Sequence, residues 1–197
     1  MRTLCVDLAS KFSAWQVRDG SEVLAEGDSR DLSAFALAKK IRQVADEFRP
    51  DVVLIEDVPP MVKFGLQPIF RLQGVIMLAC HPWLDVTLFI NPQAWQKHFP
   101  GVGSIPRGIE VPKSQRDAWR AARAAEHALR LGYTPPDLVA EYVATLPAGA
   151  KVLKKHTNPL EKNVTDYVDA ALMSIWAQGV GSITELRKIT GIQPAFI

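Results

Sequence analysis

The sequence predicts an α/β domain with a mixed central sheet of about five strands flanked by helices. Two observations carry this prediction. Short apolar runs alternate with segments of helical periodicity, and the predicted order is β-β-β-α-β-α-β-α-α. The chain has 197 residues, of which 48% are hydrophobic and 22% charged, so it is long enough to bury one core. We therefore expect residues 1–197 to form a single domain.

The first half of the chain carries four of the predicted strands. Residues 2–7 form an apolar run that ends on an acid. Residues 51–56 form a second such run, apolar at consecutive positions as in central parallel strands. Residues 13–18 and 22–27 are shorter candidates joined by Asp19-Gly20, a dipeptide that favours a tight hairpin. The pattern predicts a hairpin beside two buried strands that both end on a carboxylate.

Two segments with helical periodicity, residues 34–48 and 68–80, lie before and after the fourth strand, and a fifth strand follows them. Residues 34–48 repeat apolar side chains at i, i+3, i+4 and i+7 and stop before a proline. Residues 68–80 are apolar on nearly all sides, and Gly74 permits the close approach of a neighbouring helix. This helix is therefore expected in the core or at a subunit interface. The fifth strand, residues 86–90, leads into Asn91-Pro92, which is typical of a helix cap and first turn.

The second half of the chain is predicted to be mainly helical. Residues 100–112 form a Gly- and Pro-rich loop. Helices are predicted over residues 113–131, 164–178 and, as a C-terminal tail, 182–190. Residues 133–162 are rich in proline and interrupt this series as an insertion with one short helix candidate.

Composition excludes several classes of protein. No apolar run approaches the roughly 18 residues needed to cross a bilayer, and the first residues lack the apolar stretch of a signal peptide. Cys5 and Cys80 lie far apart and form no C-x-x-C motif, so neither a disulfide scaffold nor a structural zinc site is expected. The sequence predicts a soluble, cytoplasmic protein without a membrane partner.

The formal net charge of +2 is unevenly distributed. Residues 1–60 carry 8 Lys and Arg against 11 Asp and Glu, whereas residues 94–130 carry 7 against 3. An acidic half beside a basic segment is expected of an enzyme that handles a polyanion at an acidic metal site. Solvated helix faces would give the same balance, so charge alone does not decide.

Four acids stand at the ends of core elements. Asp7 and Glu56 end the two buried strands, and Asp166 and Asp169 open the helix at 164–178. The i, i+3 spacing of the last two places both carboxylates on one helical face. Each acid alone is explained by a turn, an edge or a cap. Together they predict a functional site, because two continuous apolar strands both end on an acid that packing alone does not require.

Converging carboxylates require cations. Unit charges about 5 Å apart repel by roughly 3 kcal/mol per pair at an effective dielectric constant of about 20. Oxygen ligands without a His or Cys cluster select Mg²⁺ or Mn²⁺ rather than zinc. Two such ions can activate a water and stabilise the leaving oxygen of a phosphodiester. The sequence therefore points to metal-dependent phosphoryl chemistry.

The chain resembles the RuvC-type Holliday junction resolvases of the ribonuclease H-like superfamily. The resemblance lies in three acid-bearing segments: L-C-V-D-L-A-S, F-R-P-D-V-V-L-I-E-D-V and V-T-D-Y-V-D-A-A-L. The helix F-R-L-Q-G-V-I-M-L-A is similar to that family's dimer-forming helix. The stretch A-W-Q-K-H-F-P-G-V-G-S, followed by V-P-K-S-Q, is similar to its basic DNA-contacting stretch. The resemblance covers roughly residues 2–131 and 164–178.

The resemblance implies a ribonuclease H-like homodimer that cuts symmetric strands of a four-way DNA junction with Mg²⁺, for which Mn²⁺ can substitute. It implies that the four acids bind the metal and carry catalysis. It also implies that Lys97 and Lys113 contact phosphates. The dimer is expected to form through the helix at 68–80.

Three departures favour a divergent, phage-type member of the family. Ala9 stands where a glycine usually follows the first acid by two residues. Val58-Pro59-Pro60 follow the second acid, where an aromatic residue that wedges the junction is expected. Phe64, with Lys63 beside it, is our candidate for that DNA-contacting role. The insertion at 133–162 is not explained by the family pattern.

A basic stripe follows the helix at 113–131. Its members fall within about 80° of one another on a helical projection, a regular arrangement that can track a phosphate backbone. They are Arg116, Arg120, Arg123, His127 and Arg130. We assign Arg116, Arg120 and Arg123 to DNA binding, although a solvated helix face gives the same pattern.

Three other functions remain open at this stage. The chain could be another ribonuclease H-like nuclease, acting on RNA–DNA hybrids or other branched DNA. It could be a non-catalytic scaffold that binds junctions. A fragment of a sugar-kinase or actin-like ATPase is disfavoured, because the residues after Asp7 form no Gly-rich phosphate loop.

Overall fold

The computed structural model describes residues 1–9, 12–57, 67–134 and 159–190. Its sheet has five strands in the order β3-β2-β1-β4-β5. Strand β1 pairs antiparallel with β2 and parallel with β4, while β3 and β5 lie at the two edges. The predicted mixed α/β fold is therefore confirmed. The strands are β1 (Arg2–Asp7), β2 (Ala14–Asp19), β3 (Glu22–Asp28), β4 (Val52–Glu56) and β5 (Thr87–Ile90).

Six α-helices belong to the described part of the chain. They are α1 (Ala34–Phe48), α2 (Gln67–Ala79), α3 (Pro92–Gln96), α4 (Arg116–Arg130), α5 (Pro159–Val180) and α6 (Ile183–Thr190). Short 3-10 helices, His81–Val86 and Lys113–Gln115, precede β5 and α4. Local signals set several boundaries. The Ser33 side chain caps α1, Arg49 ends it in a left-handed conformation, and the Asn91 side chain caps α3.

The helices cover both faces of the sheet. Alternation along β1 and β4 sends one set of apolar side chains to each side. Leu4, Val6 and Ile55 pack with α1 and α2 in one buried cluster. Cys5 and Leu54 pack with α3, α4, α5 and α6 in the other. Helix α5 lies on β1 and β2, and α4 packs on α5 from outside.

One sequence prediction on this second face is corrected. Helix α5 begins at Pro159 rather than at residue 164, so the final residues of the predicted insertion belong to this helix. It is buried on several sides, with Val168, Ala170 and Met173 at 1% exposure or less, because the sheet and α4 cover it together. Residues 135–158 lie outside the described residues.

Helix α2 is buried on one side, through Leu72 and Ile76, while Phe70 is 51% and Leu78 77% exposed. That a second subunit covers the exposed side stays a prediction. Cys5 and Cys80 are both buried and free, as expected. Among the described helices, none combines the length and apolarity needed to span a membrane.

Candidate functional site

Asp7 and Glu56 end adjacent parallel strands. Val6 pairs with Ile55 in the register of β1 and β4, so the two acids occupy the next position on each strand. By alternation both lie on the same side as Cys5 and Leu54, which is the side covered by α5. The two apolar runs therefore bring their terminal acids to the same edge of the sheet.

Helix α5 brings the other two acids to this edge. Asp166 and Asp169 lie one turn apart, and side-chain bonds to the sheet fix the helix above β1. Ser174 Oγ lies 2.9 Å from Thr3 Oγ1, and Gln178 donates to the Met1 carbonyl at 2.6 Å. Beside Asp166, the Tyr167 hydroxyl donates to Asp28 Oδ2 at 2.7 Å.

The position of these acids within α5 corrects another prediction. The sequence placed them at the helix start, where the helix dipole favours negative charge. The helix begins at Pro159, so Asp166 lies two turns inside it. Dipole effects fall off within the first turn, so the dipole does not compensate these charges.

The four carboxyl groups interact with one another. Glu56 shares a hydrogen bond with Asp7 and also senses the charges of Asp169 and Asp166. Asp7 and Asp166 are buried, and Glu56 and Asp169 are half-buried. We call this set of four residues the acid cluster. Its members come together as expected, while their role as metal ligands stays a prediction.

Burial and mutual repulsion raise the pKa values within the acid cluster. Burial raises the pKa of Asp7 to about 7, although the hydrogen bond from Glu56 partly offsets this. Burial, followed by the charges of Asp7 and Asp169, raises the pKa of Glu56 well above its usual value. Burial and the charge of Asp7 do the same for Asp169. A hydrogen bond between two carboxyls needs a proton on one of them, which agrees with these shifts.

The acid cluster offers the oxygen ligands that a hard divalent cation prefers, but its side chains do not form a complete coordination shell. In the described ranges, no three His, Cys, Asp or Glu side chains already stand at metal-binding geometry. However, Glu56 Oε2 is buried without a hydrogen-bond partner among the described residues. A buried carboxylate oxygen without a donor is costly, and a cation would satisfy it. The oxygen-only donor set fits Mg²⁺ or Mn²⁺.

Part of the predicted basic stripe lies next to the acid cluster. A cavity of about 180 Å³ is lined by Asp169, Thr165 and Arg120, among others. Arg120 also lines a second cavity of about 830 Å³, together with Arg116 and Lys113. We call this larger space the basic cavity. Arg120 of α4 therefore lies beside Asp169, while Arg116 and Lys113 line the basic cavity that Arg120 also borders.

The rest of the stripe makes contacts within the fold. The Arg123 guanidinium lies 2.5 Å from Glu126 and stacks near the Trp119 ring. Arg130 also pairs with Glu126, and His127 bonds the Pro100 carbonyl at 3.0 Å. The stripe is thus divided between Arg116 and Arg120, which line the basic cavity, and Arg123, His127 and Arg130, which do not, rather than forming one continuous track. Arg120 also forms an ion pair with Asp117 at 3.9 Å.

The remaining predicted DNA-binding residues are more dispersed. Lys97 is exposed at the C-terminal end of α3. Lys63 and Phe64 lie outside the described residues. Sequence reasoning missed Arg107 and Ile109, which line the basic cavity from the loop before α4. The loop has no helical or strand periodicity in its sequence. The only sequence signal for a DNA-binding role there was a single arginine among Gly and Pro residues.

The described fold is an α/β fold with a mixed five-strand sheet between helices. Among solved structures it is similar to RuvC of Thermus thermophilus, with a TM-score of 0.51 and 14% sequence identity over 92% of this chain and 98% of that one. It is equally similar to T. thermophilus RuvC in complex with Holliday junction substrate, at a TM-score of 0.51 and 12% identity over 92% and 97%. No protein-family model and no curated protein sequence matches the chain. The likeness confirms the predicted fold.

Proposed function

We propose that this protein is a divalent-metal-dependent endonuclease that resolves four-way DNA junctions by hydrolysis of symmetric phosphodiesters. One observation carries the proposal. Four carboxyl groups from β1, β4 and α5 interact at one edge of the sheet, within a fold like that of RuvC. A RuvC of this fold has been solved with a Holliday junction substrate. In this role the protein acts in recombination and repair, on DNA in the cytoplasm.

Each group of residues has a distinct task in this proposal. Asp7, Glu56, Asp166 and Asp169 would hold Mg²⁺, with Mn²⁺ as its substitute. When bound, a pair of such ions supplies an activated water and stabilises the leaving oxygen. Arg120, which shares a cavity with Asp169, binds a phosphate oxygen and fixes the strand beside the acids. Arg116 and Lys113 bind phosphates farther along the same strand.

The direct test is nicking of a synthetic four-way junction with and without Mg²⁺, mapped on all four strands. The proposal expects paired nicks at symmetric positions that depend on the metal. A linear duplex and an RNA–DNA hybrid of the same sequence serve as competing substrates. Preferential cutting of the hybrid would show that the substrate is an RNA–DNA hybrid and not a junction. Binding of the junction without any cutting would favour a non-catalytic scaffold.

We also propose that α2 forms the homodimer. Phe70, Gly74 and Leu78 follow one another at i, i+4 and i+8 and are all exposed. Phe70 and Leu78 are too apolar to favour water, and a Cβ built on Gly74 would meet nothing within 4 Å. A second copy of α2 is the occupant that fits, because symmetric nicking of a junction requires two active sites.

Leu78→Glu tests this interface. In the proposed dimer the glutamate would be buried against the second copy of α2 without a partner for its charge. The variant should therefore be monomeric in analytical ultracentrifugation at concentrations where the parent chain is dimeric. Lys188→Glu, at an exposed position of α6, also introduces a glutamate, serves as the control and should stay dimeric. A Leu78→Glu variant that sediments like the parent would exclude α2 as the interface.

A further inference from the structure

The basic cavity combines two kinds of wall. Four cationic side chains line it: Arg107, Lys113, Arg116 and Arg120. Glu110 is the one acidic residue among the described residues of the lining. Its remaining walls are mainly aliphatic, with Ile105 and Ile109 among them. At about 830 Å³ it lies within the range of pockets that enclose a small organic molecule.

The loop that lines this cavity, residues 105–112, is held by hydrogen bonds. Arg116 Nε donates to the Val111 carbonyl at 3.4 Å, which ties the end of the loop to α4. The Ile109 amide donates to the Pro106 carbonyl at 3.2 Å, and Gly108 between them has a φ of 86°. A side chain at Gly108 would be strained in that conformation. The turn presents Ile109, which remains 47% exposed although its side chain is large and apolar.

Arg120 connects the basic cavity to the acid cluster. It lines both the large cavity and the smaller one that contains Asp169. Its guanidinium is partly exposed and pairs with Asp117 at 3.9 Å, and its Nε has no hydrogen-bond partner among the described residues. A DNA strand whose phosphodiester lies at the acids would therefore continue past Arg120 into the basic cavity.

The chemistry of the cavity fits an unpaired nucleotide better than a base pair. A paired duplex presents phosphates and base edges, while its base faces stay inside the stack. An unpaired base offers an apolar face, which packs on aliphatic walls or on guanidinium planes. Cations beside those walls bind the attached phosphates. Both properties occur together in the basic cavity.

We propose that the basic cavity binds an unpaired nucleotide of DNA, next to the phosphodiester held at the acid cluster. The position relative to the acids rests on the proposed nuclease function. Arg107 and Ile109 are the residues newly assigned to recognition. Arg107 binds a phosphate, and Ile109 packs against the base, so the enzyme prefers strands opened at the branch point over fully stacked duplex.

The experiment measures binding in EDTA by fluorescence anisotropy, with the full chain and two probes. One probe is a blunt duplex, and the other is the same duplex with a short oligothymidylate tail. We expect the tailed probe to bind about tenfold more tightly, and Ile109→Ala or Arg107→Ala to remove most of that preference. Lys188→Ala removes an equal charge on α6 and should leave the ratio unchanged. Circular dichroism confirms that each variant is folded.

The proposal is overturned if the parent chain shows no preference for the tail, or if both variants weaken the two probes equally. Junction nicking in Mg²⁺ by the parent chain separates this outcome from failure of the proposed function. Nicking without a tail preference would refute the cavity assignment alone. A tail preference without nicking would refute the nuclease assignment and leave the cavity as a single-strand site.

Discussion

The acid cluster and the basic cavity carry opposite charges and are built differently. The acids come from β1, β4 and α5, elements of the buried core, and Asp7 is only 7% exposed. The cations come from a surface loop, the 3-10 helix Lys113–Gln115 and the first turns of α4, and Arg107 and Lys113 are exposed. Core elements fix the positions of the acids to within small tolerances, whereas exposed cations keep their hydration and side-chain freedom.

This difference separates two kinds of electrostatic effect. Like charges in the acid cluster repel in a poorly solvated place, so they retain protons or require a cation. Exposed cations interact over the Debye length of about 8 Å at physiological salt, and their effect on DNA binding weakens as salt increases. Substitutions in the cluster should therefore change the reaction, whereas substitutions in the cavity should change binding.

The largest effect is expected for Asp7→Asn and Asp169→Asn. Each removes a charge from the proposed metal site with little change in shape, so junction nicking should fall by about a thousandfold or more, while junction binding remains measurable. Single-turnover nicking and anisotropy measure the two properties. Asp85→Asn, on an exposed residue away from the site, is the matched control. Normal nicking by either variant would contradict the view that the acid cluster carries out the reaction while the basic cavity only binds DNA.

A smaller effect is expected within α4. Arg120→Ala should weaken junction binding about tenfold and lower the dependence of binding on salt, because one phosphate contact is lost. Arg130→Ala should have little effect, since that guanidinium pairs with Glu126 and, unlike Arg120, lines neither of the two cavities. Anisotropy titrations at several salt concentrations compare the two. Equal losses would mean that the stripe acts as one continuous track after all.

Stability without metal should depend on pH through the acid cluster. The folded state holds protons more tightly than the unfolded chain, because the pKa of Asp7 rises to about 7 and those of Glu56 and Asp169 also rise. The free energy of unfolding should therefore decrease as pH increases from about 4 to 7. In EDTA we expect the melting temperature to fall by several degrees across that window.

Asp7→Asn tests the cause of this pH dependence. It removes one repelling charge, so in EDTA it should melt at a higher temperature than the parent chain at pH 8, and its melting temperature should change less with pH. Differential scanning calorimetry at pH 5 and pH 8 gives both values. A parent chain that is equally stable at both pH values would show that the buried acids are not under electrostatic strain.

The smallest effect is expected for Tyr167→Phe. The lost hydroxyl donates to Asp28 and ties α5 to β3, next to Asp166. The variant should lose about 1 kcal/mol in unfolding free energy. Its nicking rate should fall severalfold while junction binding stays unchanged, because only the position of the acids is affected. Tyr133→Phe removes a comparable hydroxyl bond, to Glu26, which does not involve α5, and should leave nicking unchanged.

The acid cluster was predictable because its signals are local. Asp7 and Glu56 each follow an unbroken apolar run, and adjacent parallel strands must end at the same edge of a sheet. Asp166 and Asp169 share a helical face by spacing alone. What the sequence did not reveal was the start of α5 at Pro159, because the preceding Pro-rich segment carries no helical periodicity.

The basic region was predicted less well, for a physical reason. Helical spacing identifies a common face but not the partners that side chains find on it. Glu126 stands at i+3 from Arg123 and at i−4 from Arg130, and those spacings were a usable signal for pairing within the helix. The basic cavity depends on how the loop at 105–112 folds back on α4, which no local pattern encodes.

The central claim is that Asp7, Glu56, Asp166 and Asp169 form one divalent-ion site. Anomalous diffraction from crystals soaked in Mn²⁺ tests it most directly. The account predicts anomalous density between Asp7, Glu56 and the acids of α5, within about 2.5 Å of carboxylate oxygens, and none there in crystals of Asp7→Asn. Well-ordered carboxylates with no manganese between them, at concentrations that support catalysis, would contradict it.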